Sequence, residues 1–121
     1  MKIVHIENVV GETVSHNPDI GETVSHNPDI IKKVLLNEHE LPGSVRLSHA
    51  LFSPGQKASA HRHEGLCEVF YVLSGCGLMT INDLDYPLEQ GSCIMVEAGE
   101  LHELGNNGET DMTVLYFGLS S

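Results

Sequence analysis

Three histidines and one glutamate in the second half of the chain stand at spacings that suit a metal site. His61 and His63 are separated only by Arg62, Glu68 follows after four more residues, and His102 comes from a later segment. Glycines frame both clusters: Gly55 and Gly75 around the first, Gly91 and Gly99 before His102, with Asn106 closing the second. Neutral imidazoles and a carboxylate suit Mn, Fe, Co, Ni, Cu or Zn, and without thiolate ligands nothing pulls the choice toward Zn or Cu(I). Four protein ligands on an octahedral ion leave two positions for water, dioxygen or a bidentate substrate, which fits Lewis-acid or redox chemistry. The expectation is one divalent transition-metal ion per chain, bound by His61, His63, Glu68 and His102.

Side chains alternate faces along a strand, so a strand carrying His61 and His63 points both the same way and Arg62 the other. Glu68 then arrives across a short turn, Glu64 to Cys67, and His102 from a separate strand, with Glu103 facing away from it. The rest of the chain after Ile31 reads as short strands broken by turns. Val45 to Phe52 alternates and stops at Ser53-Pro54-Gly55. Val69 to Leu73 is apolar on both faces, as expected of a strand covered on each side. Gly77 to Ile81 and Leu84 to Leu88 flank Asn82-Asp83, a pair that tolerates positive φ in a two-residue hairpin. Ser92 to Val96, the His102 segment and Met112 to Phe117 complete an all-β pattern of barrel or sandwich type.

The two clusters resemble the paired signature motifs of the cupin superfamily. The first matches at Gly55, His61, His63, Glu68 and Gly75. The second matches at Gly91, Gly99, His102 and Asn106, with Glu97 where a proline is usual. Cys76 to Gln90 resembles the shortest spacing between the motifs, typical of small single-domain members. The resemblance spans roughly residues 31 to 119 and implies a double-stranded β-helix, or jelly-roll barrel, holding a metal. It implies much less about the reaction, because one scaffold carries many chemistries. Residues 31–121 are therefore assigned to the barrel and residues 1–30 to an N-terminal strand with a repeated segment.

That segment is a decapeptide, GETVSHNPDI, at Gly11–Ile20 and again without change at Gly21–Ile30. Two copies of ten residues are too few and too short for a solenoid. Asn17-Pro18 and Asn27-Pro28 are turn or helix-start signals. The second copy is expected to make the native connection into the barrel and the first to be accommodated at the surface, since loop closure entropy grows only logarithmically with length.

Length and charge narrow the partners. A chain of 121 residues is one domain. The formal charge of −11 argues against nucleic acid and anionic membranes and disfavours phosphorylated substrates. No apolar run reaches membrane-spanning length, the start Met1-Lys2-Ile3-Val4-His5 has no signal-peptide pattern, and Cys67, Cys76 and Cys93 are odd in number and read as reduced, packed thiols. A cytoplasmic protein is expected. Open strand edges, and a Met1 to Val10 segment rich in β-branched residues, favour a homodimer formed by adding that segment to a partner sheet.

The function expected first is a metal-dependent enzyme on a small oxygen-rich organic substrate: dioxygenase, decarboxylase, isomerase or lyase. The alternative is a non-catalytic module that binds a small molecule or the metal itself. Phe70, Val72 and Met79 are candidate pocket walls, though apolar residues in barrel strands are more often plain core, and His49 is expected as a hydrogen-bonded core histidine, with a proton carrier in the pocket as the alternative.

Overall fold

The computed structural model describes residues 1–13 and 30–120, and these form two antiparallel sheets facing each other. The strands are β1 (Glu12–Thr13), β2 (Ile31–Leu36), β3 (Ser44–Phe52), β4 (Lys57–His61) and β5 (Leu66–Ser74). They continue as β6 (Gly77–Ile81), β7 (Leu84–Leu88), β8 (Cys93–Val96), β9 (His102–Gly105) and β10 (Met112–Ser120). The larger sheet has the order β1-β2-β3-β10-β5-β8 and the smaller one β4-β9-β6-β7. From β3 onward the chain passes back and forth between the sheets, and this winding is the double-stranded β-helix of a jelly roll.

Local sequence explains where the strands break. Asn82 and Asp83 hold φ of 49° and 68° and turn β6 into β7, where Thr80 donates a hydrogen bond to Asp85 at 2.8 Å. Inward positions of the facing strands make the core. Val72 and Met79 come from β5 and β6, and Met112 and Val114 from β10; all four are wholly buried, and Phe52, Leu88, Val96 and Leu104 pack with them.

The N-terminal decapeptide departs from the expected strand. Met1–Val10 carries only a single 3₁₀ turn, Ile6–Asn8, in which His5 Nδ1 accepts a hydrogen bond from the Glu7 amide, and pairing begins later, at Glu12. The segment folds back on its own chain: Lys2 pairs with Glu40, and Lys33 of β2 donates to the Ile6 carbonyl at 3.1 Å. A local cap and these tethers satisfy polar groups that a sheet edge would otherwise have to pair. Of the repeated decapeptides, the start of the first forms β1 and the last residue of the second, Ile30, is wholly buried. The choice of which copy fills the native connection falls on residues 14–29 and lies outside the described residues.

Two other expectations change. His49 is half-buried on the outward face of β3, opposite Lys33 and Leu115, because the inward face belongs to Ser48, Ala50 and Phe52. Cys76 and Cys93 are exposed and Cys67 is half-buried, so the thiols are free but not packed in the core.

Candidate metal centre

His61 ends β4, and a bulge decides where it points. Ala58 pairs with Leu104 and His61 with His102, so β4 carries one more residue than β9 across that interval. Ala58 already faces inward, and regular alternation would turn Ala60 inward and His61 out. The extra residue shifts the parity and turns the imidazole inward. β4 stops there, and His63 lies beyond it in the connection to β5. The two histidines therefore share a direction through a bulge and a strand end, not through one continuous strand. Glu64-Gly65 makes the turn, with Gly65 at φ 70°, and Leu66 and Cys67 already belong to β5, which brings Glu68 inward two residues later.

The motif residues that bear no ligand atom tie the two clusters together. The Gly99 amide donates to the His63 carbonyl at 2.8 Å. The Gly55 amide donates to the Asn106 carbonyl, and the Asn106 amide to that of Gln56, each at 2.9 Å. Buried Asn106 also uses its side chain: Nδ2 donates to the carbonyls of Phe52 and Thr110, and Oδ1 accepts from the Gly108 amide. Asn106 is thus a clamp that holds the β9–β10 connection against the end of β3.

The fold brings His61, His63, Glu68 and His102 together, with one donor atom from each lying within 4.8 Å of all the others. Glu68 Oε1 is 3.1 Å from Nε2 of His63 and equally close to Nε2 of His102. Two donors held about 2.1 Å from one ion at right angles lie about 3 Å apart, so this spacing fits a shared metal. Glu68 Oε1 and His102 Nε2 are buried atoms with no hydrogen bond of proper geometry. Atoms of that kind are costly unless something satisfies them.

The imidazoles are also oriented for coordination. His61 Nδ1 lies 2.8 Å from the Ser59 carbonyl and His102 Nδ1 3.0 Å from that of Glu100. A carbonyl only accepts, so Nδ1 carries the proton in each ring and Nε2 presents its lone pair. Burial pushes the His61 pKa below the usual imidazole range, against a smaller opposing effect of the Ser59 carbonyl. Burial alone would raise the Glu68 pKa, but His102 and His63 outweigh it when their Nε2 atoms carry protons, as in the metal-free protein at acid pH, and then hold the carboxyl at about 2. Both residues are therefore in their metal-binding protonation states at neutral pH.

A cavity of about 50 Å³ opens beside the cluster. Its walls, apart from His61, Glu68 and His102, are Ala50, Phe52, Ala58, Phe70, Leu104, Val114 and Tyr116, with Tyr116 stacked on Phe70 at 5.5 Å. Phe70 is the pocket wall that the sequence suggested, whereas Val72 and Met79 are core. A second hollow shares Glu68 and Tyr116 with the cavity and is lined by Arg46, Ser48 and His63. Sequence reasoning missed Arg46 and Tyr116. The parity of β3 was the available signal for Arg46, since it falls in step with inward Ser48 and Ala50. Glu103 pairs with Lys57 at 3.6 Å on the other side of β9, as alternation requires.

Residues 48–118 match the family described as Cupin domain. The chain belongs to the cupin family. It is 33% identical over 82 residues to the oxalate-binding protein of Thermotoga maritima, a stretch that is 67% of this chain and 68% of that one. Among solved structures, a predicted oxalate decarboxylase from Thermotoga maritima matches 99% of this chain and 100% of its own, at a TM-score of 0.87 and 23% identity. A polyketide cyclase from Streptomyces resistomycificus matches 100% of this cupin chain and 80% of its own, at a TM-score of 0.79 and 20% identity. At such identities these structures establish the barrel alone, and the two names describe different chemistries on it.

Proposed function

We propose that this cupin binds one divalent transition-metal ion through His61, His63, Glu68 and His102 and uses it as an enzyme on a small oxygen-rich organic acid. The observation that carries the reading is the convergence of buried, otherwise unsatisfied donor atoms of Glu68 and His102 at the wall of a cavity. Mn, Fe, Co, Ni, Cu and Zn all suit the donor set, and such an ion supplies Lewis acidity or redox chemistry to a coordinated oxygen. The chain's own residues do the rest. Phe70, Leu104 and Tyr116 keep the cavity apolar and limit its water, which strengthens every charge interaction inside it. Arg46, in the adjoining hollow, offers a planar guanidinium to a substrate carboxylate. The size of the cavity and the kinship with an oxalate-binding protein both favour a substrate of few heavy atoms.

A second reading, a binding module without turnover, has its own observation. Among the described residues, no cavity wall residue outside the candidate ligands is a carboxylate or an imidazole that could serve as a general base. The two readings separate in one experiment. Metal content of the purified protein and of His61→Ala/His63→Ala is measured by mass spectrometry, and the loaded protein is offered oxalate and other short carboxylic acids. One ion per wild-type chain, lost in the double variant, supports the metal site; undiminished content in the variant removes it. Product formation selects the enzyme, and saturable binding without product selects the module.

A further inference from the structure

The candidate ligands lie at the boundary between two hollows of opposite chemistry. His61, Glu68 and His102 line the cavity of about 50 Å³, whose other walls include Phe52, Ala58, Phe70, Leu104 and Val114. Glu68 and His63 line the adjoining hollow of about 10 Å³, together with Arg46, Ser48 and Tyr116. By volume the first has room for about four water-sized groups and the second for about one.

An irregularity of the larger sheet places Arg46 there. Tyr116 pairs with Ser48 and Gly118 with Val45, so Arg46 and Leu47 together oppose Phe117. Such a bulge re-aims side chains, and here the guanidinium comes to the wall of the hollow. Gly118 lines the same hollow, and a Cβ on it would fall 2.9 Å from Leu66 Cδ1, so β10 leaves that space unfilled. Lys2, Lys32 and Lys57 each pair with a carboxylate. Arg46 is half-buried and, among the described residues, has no ion-pair or hydrogen-bond partner, although the chain has 17 acidic residues. Glu68, the carboxylate of the same hollow, faces His63 and His102 instead. A guanidinium kept apart from its own chain's carboxylates can take one from a ligand, two N–H groups to two oxygens.

Each hollow excludes what the other accepts. Oxalate would leave the apolar cavity to water. A longer dicarboxylate would strand its second charge among Phe70, Leu104 and Val114, where an unpaired charge is costly. We infer that the site takes a 2-oxo or 2-hydroxy monocarboxylic acid with a short alkyl chain. Its carboxylate goes to Arg46, the neighbouring oxygen to the candidate metal ligands and the alkyl group to the apolar cavity. This rests on the metal-centre reading above and narrows its substrate class.

Calorimetric titration of the full chain loaded with Mn(II) tests it on pyruvate, 2-oxobutyrate, 2-oxopentanoate and 2-oxooctanoate. Affinity should rise about fourfold for each methylene that the cavity buries, and should fall at the octanoate, which exceeds the room available. Butyrate, which lacks the second oxygen, should bind at least tenfold more weakly than 2-oxobutyrate. Arg46→Gln should weaken pyruvate and 2-oxobutyrate alike, at least tenfold, with circular dichroism and bound metal unchanged, and Arg46→Lys should recover only part of the loss. Ala58→Val narrows the cavity and should weaken 2-oxopentanoate about fivefold more than pyruvate; if that variant does not fold, the wild-type series decides. A flat series, affinity that survives Arg46→Gln, or succinate binding more tightly than 2-oxobutyrate overturns the proposal. Metal content of the same samples separates the two failures. A chain that takes up no ion fails the metal-centre reading and this inference with it. A chain that holds its ion and gains nothing from alkyl length fails this inference alone.

Discussion

His61 and His102 face each other as register partners across β4 and β9, their ring centroids 4.3 Å apart, and each aims Nδ1 at the carbonyl two residues before it. The same backbone device, used on neighbouring strands, fixes both tautomers before any ion arrives. A site built this way loses little freedom on binding, and its cost falls on the metal-free protein, which must bury lone pairs that have no proton.

That cost gives a pH prediction. Burial holds the His61 pKa in the folded protein below its ordinary value. The unfolded chain therefore binds the proton first, and the stability held by neutral His61 is present above about pH 6.5 and lost as pH falls through the lowered value. Glu68, held at about 2 by His102 and His63, acts in a lower window, its contribution being complete above 4.5 and lost toward 2. Acidification also relieves the net negative charge, so the difference between two proteins is the useful quantity. Melting of metal-free wild type and His61→Asn is compared from pH 7.5 to 5. The wild type should lose stability relative to the variant as pH falls. A difference that stays flat or grows contradicts the role given to His61.

The framing glycines give a graded prediction. Gly55 holds φ 86° with open space where a Cβ would stand, so Gly55→Ala meets only backbone strain, about 1–2 kcal/mol. Gly75 holds φ 79°, but its Cβ would press on the Asp111 carbonyl and lie 2.9 Å from Met112 Cα, both backbone atoms. Gly75→Ala should therefore cost clearly more than Gly55→Ala, by roughly a further 1–3 kcal/mol as in other overpacked sites. Urea denaturation of the two variants decides it. Equal losses would show that the segment joining β9 and β10 yields easily.

Much of this was legible in the sequence because it depends on local chemistry. Asn82-Asp83 announces its hairpin, the apolar runs announce β5 and β10, and the spacing of the two clusters announces the family. What was not legible depends on tertiary register. The bulge that turns His61 inward is a mismatch between β4 and β9, which neither strand shows alone. His49 sits among apolar neighbours in sequence, but which face of β3 is buried is set by β10 and by the opposite sheet. Val69 to Leu73 read as covered on both sides; the outward positions are in fact partly open, with Leu73 38% exposed. The N-terminal decapeptide read as a strand because its residues are β-branched, whereas the His5 cap and the Lys33 tether favour a turn.

The repeated decapeptide allows a last prediction. Deleting Gly11–Ile20 or Gly21–Ile30 yields the same sequence, because the copies are identical. The one remaining copy would still supply Glu and Thr for β1 and the isoleucine that is wholly buried at Ile30, the anchors that the described residues show. The connection between β1 and β2 would shorten from 17 residues to 7. Closing the shorter loop costs less entropy, by about 0.8 kcal/mol on a logarithmic dependence. The cluster at His61 to Glu68 and His102 lies on and between β4, β5 and β9, none of which pairs with β1. The shortened protein should melt at the same temperature or a few degrees higher and hold as much metal as the full chain. A fall in stability beyond about 1 kcal/mol would mean that the second copy makes contacts the fold depends on. Unchanged stability with lost metal would mean that the repeat serves the site.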